Sequence, residues 1–99
     1  MPGVARLGDI CTGHDCFPPR PNIGASGNVF ANGIGVHRQG DPWDFHTCTD
    51  PKTPHGTHDS VLAGGSPTVF VNGKSIGRIG DDVACGGAVA TGSGNVFAG

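Results

Sequence analysis

The chain has no glutamate. All eight of its acidic residues are aspartates, against six cations and a formal net charge of −2. That absence weighs against metal-assisted hydrolysis, in which a carboxylate commonly serves as base beside an open metal position. Asp15, Asp44 and Asp59 lie near candidate ligands, but aspartate is also a common turn residue. The cations are spread along the chain and form no basic face, which disfavours nucleic-acid binding. Good helix formers are scarce, no window holds apolar residues at helical spacing, and Gly or Pro interrupts nearly every stretch, so little or no helix is expected. No apolar run approaches the roughly 20 residues that cross a bilayer. The start, Met1 to Arg6, has neither a basic n-region nor an apolar h-region, which predicts a chain that begins in the cytoplasm. No phosphate loop and no nucleophile elbow is present.

What is present in excess is glycine, 19 of 99 residues, with 8 prolines and an apolar fraction of only 35%. A chain of this length is read as one domain, 1–99, whose small core needs a supplement. The glycines fall in a repeat. Gly65 to Asp81 reads as a β-hairpin, with Thr68 to Val71 running into the turn dipeptide Asn72-Gly73 and Lys74 to Ile79 returning. Ser26 to Gly33, followed by Arg38-Gln39-Gly40-Asp41, repeats that grammar. Ser93 to Gly99 repeats its first half and Val4 to Asp9 its second.

This offset set predicts an all-β fold of three short hairpin repeats around a pseudo-threefold axis, a compact cone stapled by a metal. Strands are expected near Val4 to Leu7, Val29 to Ala31, Ile34 to Arg38, Ser60 to Ala63, Val69 to Val71, Ser75 to Ile79, Ala88 to Thr91 and Val96 to Ala98. Phe30, Phe70 and Phe97 are the expected packing centre. The Gly-Asp pairs at Asp9, Asp41 and Asp81 are expected to fix turns and pair with Arg6, Arg38 and Arg78. Cys11 to Gly24 and Pro42 to Thr57 read as irregular insertions.

The repeat supplies coordinates for the histidines and cysteines. His14 and His46 each lie five residues after a Gly-Asp pair, and His58 and Cys85 each lie eight before a repeat serine. Three imidazoles and one thiolate in matched positions fit a closed, structural zinc site holding one ion, formed by His14, His46, His58 and Cys85. His55 is the competing ligand, and positional equivalence to Cys85 favours His58. Cys11, Cys16 and Cys48 read as small buried hydrophobes or as a thiol pair between the insertions, with Cys16 and Cys48 the pair to examine. Without a secretory leader, metal or reduced thiols are preferred to a disulfide framework. His37, in a strand beside Arg38, reads as a surface or sheet-edge residue.

The Arg-x-Gly-Asp and Gly-Ser-x-x-Val-Phe-x-Asn-Gly repeats, with the closing Asn95-Val96-Phe97-Ala98-Gly99, resemble the PAAR-repeat proteins over the whole chain. The namesake tetrapeptide is degenerate, reading Gly3-Val4-Ala5-Arg6, Gly35-Val36-His37-Arg38 and Ser75-Ile76-Gly77-Arg78, with only the arginine kept in all three. The resemblance implies a β-rich cone with zinc near its apex. Its base would cap the trimeric β-helical spike of a type VI secretion system, of the valine-glycine-repeat kind, or a contractile phage tail, and sharpen it for puncturing a target envelope. It further implies a non-enzymatic protein, monomeric on its own, with a trimeric spike and possibly effectors as partners and only transient contact with the target membrane. The protein would be cytoplasmic before firing and translocated with the tip. Members carry toxic domains as extensions, and this chain reads as a bare tip ending with its last repeat. Two other readings remain open: a small zinc-dependent hydrolase or redox module, and a disulfide-stapled extracellular binding domain.

Overall fold

The computed structural model describes residues 1–48 and 56–99. Among them there is no helix, and therefore none long and apolar enough to cross a membrane. The Asn-Gly turns form as the dipeptides demand: Asn32 and Gly33 have φ of 56° and 75°, and Asn72 and Gly73 of 55° and 78°. Positive φ at both positions suits the twist of two-residue hairpins. These turns join β1 (Phe30–Ala31) to β2 (Ile34–Gly35) and β5 (Phe70–Val71) to β6 (Lys74–Ser75).

The Arg-x-Gly-Asp frame is also a turn. The amides of Asp9, Asp41 and Asp81 donate to the carbonyls of Arg6, Arg38 and Arg78 at 3.0, 2.9 and 3.0 Å. The intervening Gly8, Gly40 and Gly80 have φ of 87°, 87° and 93°, as the third position of a type II turn requires. Each carboxylate then reaches back to its own arginine. Asp41 Oδ2 accepts from Arg38 N and Nε at 3.0 and 2.8 Å, while Oδ1 accepts from Nη2 at 3.0 Å. Arg6–Asp9 and Arg78–Asp81 make the same fork, as expected from sequence. The repeat serines are local caps: the hydroxyls of Ser26, Ser66 and Ser93 each accept from the amides two and three residues on. Each also donates into another part of the chain, to Asn72 Oδ1, the Gly99 carbonyl and Asn32 Oδ1 respectively.

The segments bearing the degenerate tetrapeptides close on one another. Ala5 N donates to Gly77 O at 2.8 Å, Gly77 N to His37 O at 2.8 Å, and His37 N to Ala5 O at 2.9 Å, a head-to-tail ring. Because extended segments alternate faces, neighbouring residues leave this ring in opposite directions. Val4, Val36 and Ile76 join Ala31, Val71 and Ala98 in one buried cluster. Ala5 belongs to a second, with Cys11, Trp43, Leu62, Val83 and Val89.

Several expectations are corrected. Phe30, Phe70 and Phe97 are not the packing centre: they are 58%, 59% and 50% exposed. Pleat alternation sends Ala31, Val71 and Ala98 inward instead, and the phenylalanine beside each goes out. His37 is fully buried rather than on the surface, because its place in the ring turns it toward Trp43, with ring centroids 5.2 Å apart. Its Nδ1–H donates to the Gly24 carbonyl at 2.7 Å, and burial pushes its pKa below the ordinary imidazole value. The insertion from Pro42 is not irregular: β3 (Pro42–Cys48) and β4 (Gly56–Val61) form the longest hairpin among the described residues, while 49–55 lie outside them. The expected strands at Val4 to Leu7, Ala88 to Thr91 and Val96 to Ala98 appear as single bridges, such as Val4 with Arg78 and Gly3 with Phe97.

Candidate metal centre

The β3–β4 hairpin positions two of the four candidate ligands. His46 and His58 are register partners across it, and the pairing slips between Trp43 and His46. An undisturbed strand would put Trp43 and Phe45 on one face. The irregularity lets Trp43 and His46, three residues apart, both be buried and leaves Phe45 61% exposed.

His14 comes from a tight reversal in which its amide and that of Phe17 exchange hydrogen bonds with each other's carbonyls at 3.1 and 2.8 Å. Asp15, with φ of 49°, makes the bend. Against the preference for metal or reduced thiols, Cys16 and Cys48 form a disulfide, the pair the sequence left open, because the fold brings this reversal against the end of β3. Cys85 is tied to β4, its amide donating to Ser60 Oγ at 2.9 Å. Gly86 follows it with φ of 118° against the His14 ring, where a Cβ would lie 3.2 Å from His14 Cγ. A larger residue there would push the two ligand segments apart.

The structure thus brings together all four residues named from sequence: the donor atoms of His14, His46, His58 and Cys85 all lie within 4.8 Å of one another. His14 Nε2 is 3.1 Å and His46 Nε2 2.7 Å from His58 Nε2. A tetrahedral zinc ion with ordinary bond lengths separates its nitrogen ligands by about 3.3 Å and nitrogen from sulfur by about 3.6 Å. The two nitrogen pairs are closer than that, at 3.1 and 2.7 Å, and the four donors spread to within 4.8 Å of one another. The rings and the thiol would shift by a fraction of an ångström to about one ångström around an ion, and the cluster could hold a metal ion. His55, the competing candidate, lies outside the described residues.

The surroundings favour neutral imidazoles. His46 Nδ1–H donates to the Pro18 carbonyl at 2.8 Å, which leaves Nε2 as the lone-pair donor facing the cluster. Burial, helped by the charge of Arg20 and by neighbouring imidazoles, lowers the pKa of both His46 and His58. Phe17 sits against the three rings, with centroids 4.9, 4.8 and 4.1 Å from His14, His46 and His58. It is 6% exposed, and of the four donor residues only His46 is itself buried.

Sequence reasoning passed over Phe17 and Arg20. Arg20 is 4% exposed, and its Nη1 donates to Cys11 Sγ at 3.0 Å and its Nη2 to Cys85 Sγ at 3.3 Å. Burial alone would push the Cys11 thiol up, but hydrogen bonds from Arg20 and Gly13 outweigh it and hold the pKa below the ordinary thiol value. A signal existed: Arg6, Arg38 and Arg78 each have an aspartate three residues on, whereas Arg20 is followed by Pro21-Asn22-Ile23.

Comparison with known proteins identifies a family. The family described as PAAR motif matches residues 12–91, a span that contains all four donors. Two Pseudomonas aeruginosa proteins are similar, the NAD(P)(+) glycohydrolase toxin Tse6 of strain PAO1 and the (p)ppApp synthetase toxin Tas1 of strain UCBPP-PA14. Each is 34% identical over 87 residues, covering 82% of this chain and 20% of the relative. The chain therefore spans about a fifth of the length of these curated relatives. With four-fifths of its length matched by the family and its repeat turns and histidine–cysteine cluster in place, the chain belongs to the PAAR-motif family.

Proposed function

We propose that this chain is the metal-stapled tip of a contractile injection spike, with one copy capping the trimeric β-helical spike of a type VI secretion system. The observation that carries the reading is the set of three phenylalanines. Phe30, Phe70 and Phe97 occupy the same place in three copies of one motif and are each at least half exposed in a small protein with little apolar material to spare. Matched apolar side chains left in solvent mark an interaction surface. Three of them, around a ring built from three equivalent segments, suit a threefold partner.

The two buried clusters support a division of labour. Phe30, Phe70 and Phe97 adjoin Ala31, Val71 and Ala98 of the first cluster, whereas Cys85 packs against the second. In this reading the phenylalanine side is the base of a pseudo-threefold cone formed by a single domain, 1–99. The histidine–cysteine side is the apex, stiffened for entry into the target envelope. Zinc suits three imidazoles and a thiolate, and bound there it would supply structural cross-linking, with His14, His46, His58 and Cys85 as its ligands. The protein would be cytoplasmic before firing and leave the cell with the tip. Effector domains of the kind named for the toxin relatives would travel on such a tip.

The test is copurification with a spike protein encoded by the same organism. One tip per spike trimer is expected, and Phe30→Ser, Phe70→Ser and Phe97→Ser together should abolish capture while the melting temperature changes by only a few degrees. A triple variant that still binds at parent strength would refute the docking surface.

A further inference from the structure

Arg20 is a buried cation with an unusual set of acceptors. No carboxylate pairs with it among the ion pairs of the described residues, whereas Arg6, Arg38 and Arg78 each have one. An uncompensated buried charge is costly, and its N–H groups go instead to two sulfurs and a carbonyl. Nη1 donates to Cys11 Sγ at 3.0 Å, Nη2 to Cys85 Sγ at 3.3 Å, and Nε to the Asp44 carbonyl at 3.0 Å. The guanidinium also lies over the Trp43 ring, 5.4 Å from its centroid.

We propose that Arg20 is the positioning residue of the metal centre, a rigid fork anchored on Cys11, Asp44 and Trp43 whose remaining arm directs the Cys85 sulfur toward the three imidazoles. This rests on the metal reading of the site. The planar guanidinium is held at three points before it meets Cys85, so its fourth contact has little freedom. Cys85 needs such a hold. It is followed by Gly86 and Gly87, both at positive φ, and it packs at the margin of its buried cluster. A hydrogen bond to sulfur sets both its direction and the electron density it offers a metal, the part that outer contacts play at metal sites generally. Cys11, buried and not among the four donors, serves as the fixed acceptor that keeps the fork in plane.

Cobalt(II), titrated into metal-free full-length protein, reads the donor set through its thiolate-to-cobalt charge-transfer band. Arg20→Lys keeps the charge and most of the stem but cannot bridge two sulfurs and a carbonyl. It is expected to fold, to bind cobalt about tenfold to a hundredfold more weakly, and to show a shifted charge-transfer band. Cys11→Ala, which removes the anchor and leaves all four donors, should shift the band in the same direction with a smaller loss of affinity. Arg20→Met should lose the most, and if it fails to fold the other two variants decide. A role limited to filling space would lower stability and leave the band in place. Parent-like affinity and an unshifted band in Arg20→Lys would overturn the inference while leaving the metal reading intact. A parent protein that takes up no cobalt would overturn both.

Discussion

Asp41→Asn separates the charge of one turn carboxylate from its shape. In the parent, Asp41 accepts three hydrogen bonds from Arg38, and its side chain is 6% exposed against 15% for the arginine. Its Oδ1 also lies 3.8 Å from Lys74 Nζ. The asparagine amide would place an N–H₂ against one edge of the guanidinium and leave a mostly covered cation unbalanced. Breaking one partner of such a covered pair costs about 3 kcal/mol, the low end for buried pairs. For a domain of this size the unfolding entropy is about 0.2 kcal/mol per degree, so the melting temperature should fall by about 14 °C. Circular dichroism melts at pH 7 with zinc saturating in both proteins measure it.

The pH dependence gives a second constraint. Burial by itself would raise the Asp41 pKa, but hydrogen bonds from Arg38 and its charge outweigh this and hold the carboxyl below the ordinary range. The folded state therefore binds this proton less readily than the unfolded chain. The stabilisation is complete above the unfolded aspartate value of about 3.9 and disappears as pH falls through the lower folded value. The gap between parent and Asp41→Asn should thus close in acid. A fall of less than about 4 °C at pH 7, roughly 1 kcal/mol, or a gap that stays constant down to pH 2, would mean that the Arg38–Asp41 fork does not stabilise the fold.

Single alanine substitutions at His14, His46, His58 or Cys85 should lower bound zinc, measured by elemental analysis, and make the melting temperature insensitive to chelator; any variant that keeps stoichiometric zinc and its chelator response removes that residue from the ligand set. Replacing Cys16 and Cys48 by serine opens a cross-link between residues 32 apart. For the 33 residues of that loop, ends included, the chain-entropy estimate is a loss of about 3.7 kcal/mol, an upper value since residual structure in the unfolded chain reduces it. Urea melts of the pair variant check this, and an unchanged midpoint would count against the bond as a stabilising element.

The repeat made much of the site legible. His14 with His46, and His58 with Cys85, were matched by counting from Gly-Asp and serine, and those markers proved to be type II turns and hydroxyl caps, local devices that any copy must form in the same way. His46 facing His58 across a hairpin was not legible, because it depends on a register slip that no residue in β3 announces. The phenylalanines misled for a related reason. A two-residue strand contains one inward and one outward position, and composition does not say which of Phe30 or Ala31 takes the core. His37 and Arg20 are buried by tertiary closure, one through the ring and the other over Trp43.

The turns, the repeat, the lack of helix among the described residues and the candidate ligand set were already readable along the chain, since each rests on contacts within a few residues, on repeat spacing or on composition. Which faces of the short strands turn inward, the meeting of Cys16 with Cys48, and the guanidinium that joins Cys11 to Cys85 come from long-range packing. Those outcomes depend on segments distant in the chain, and local sequence carries no record of the distance between them.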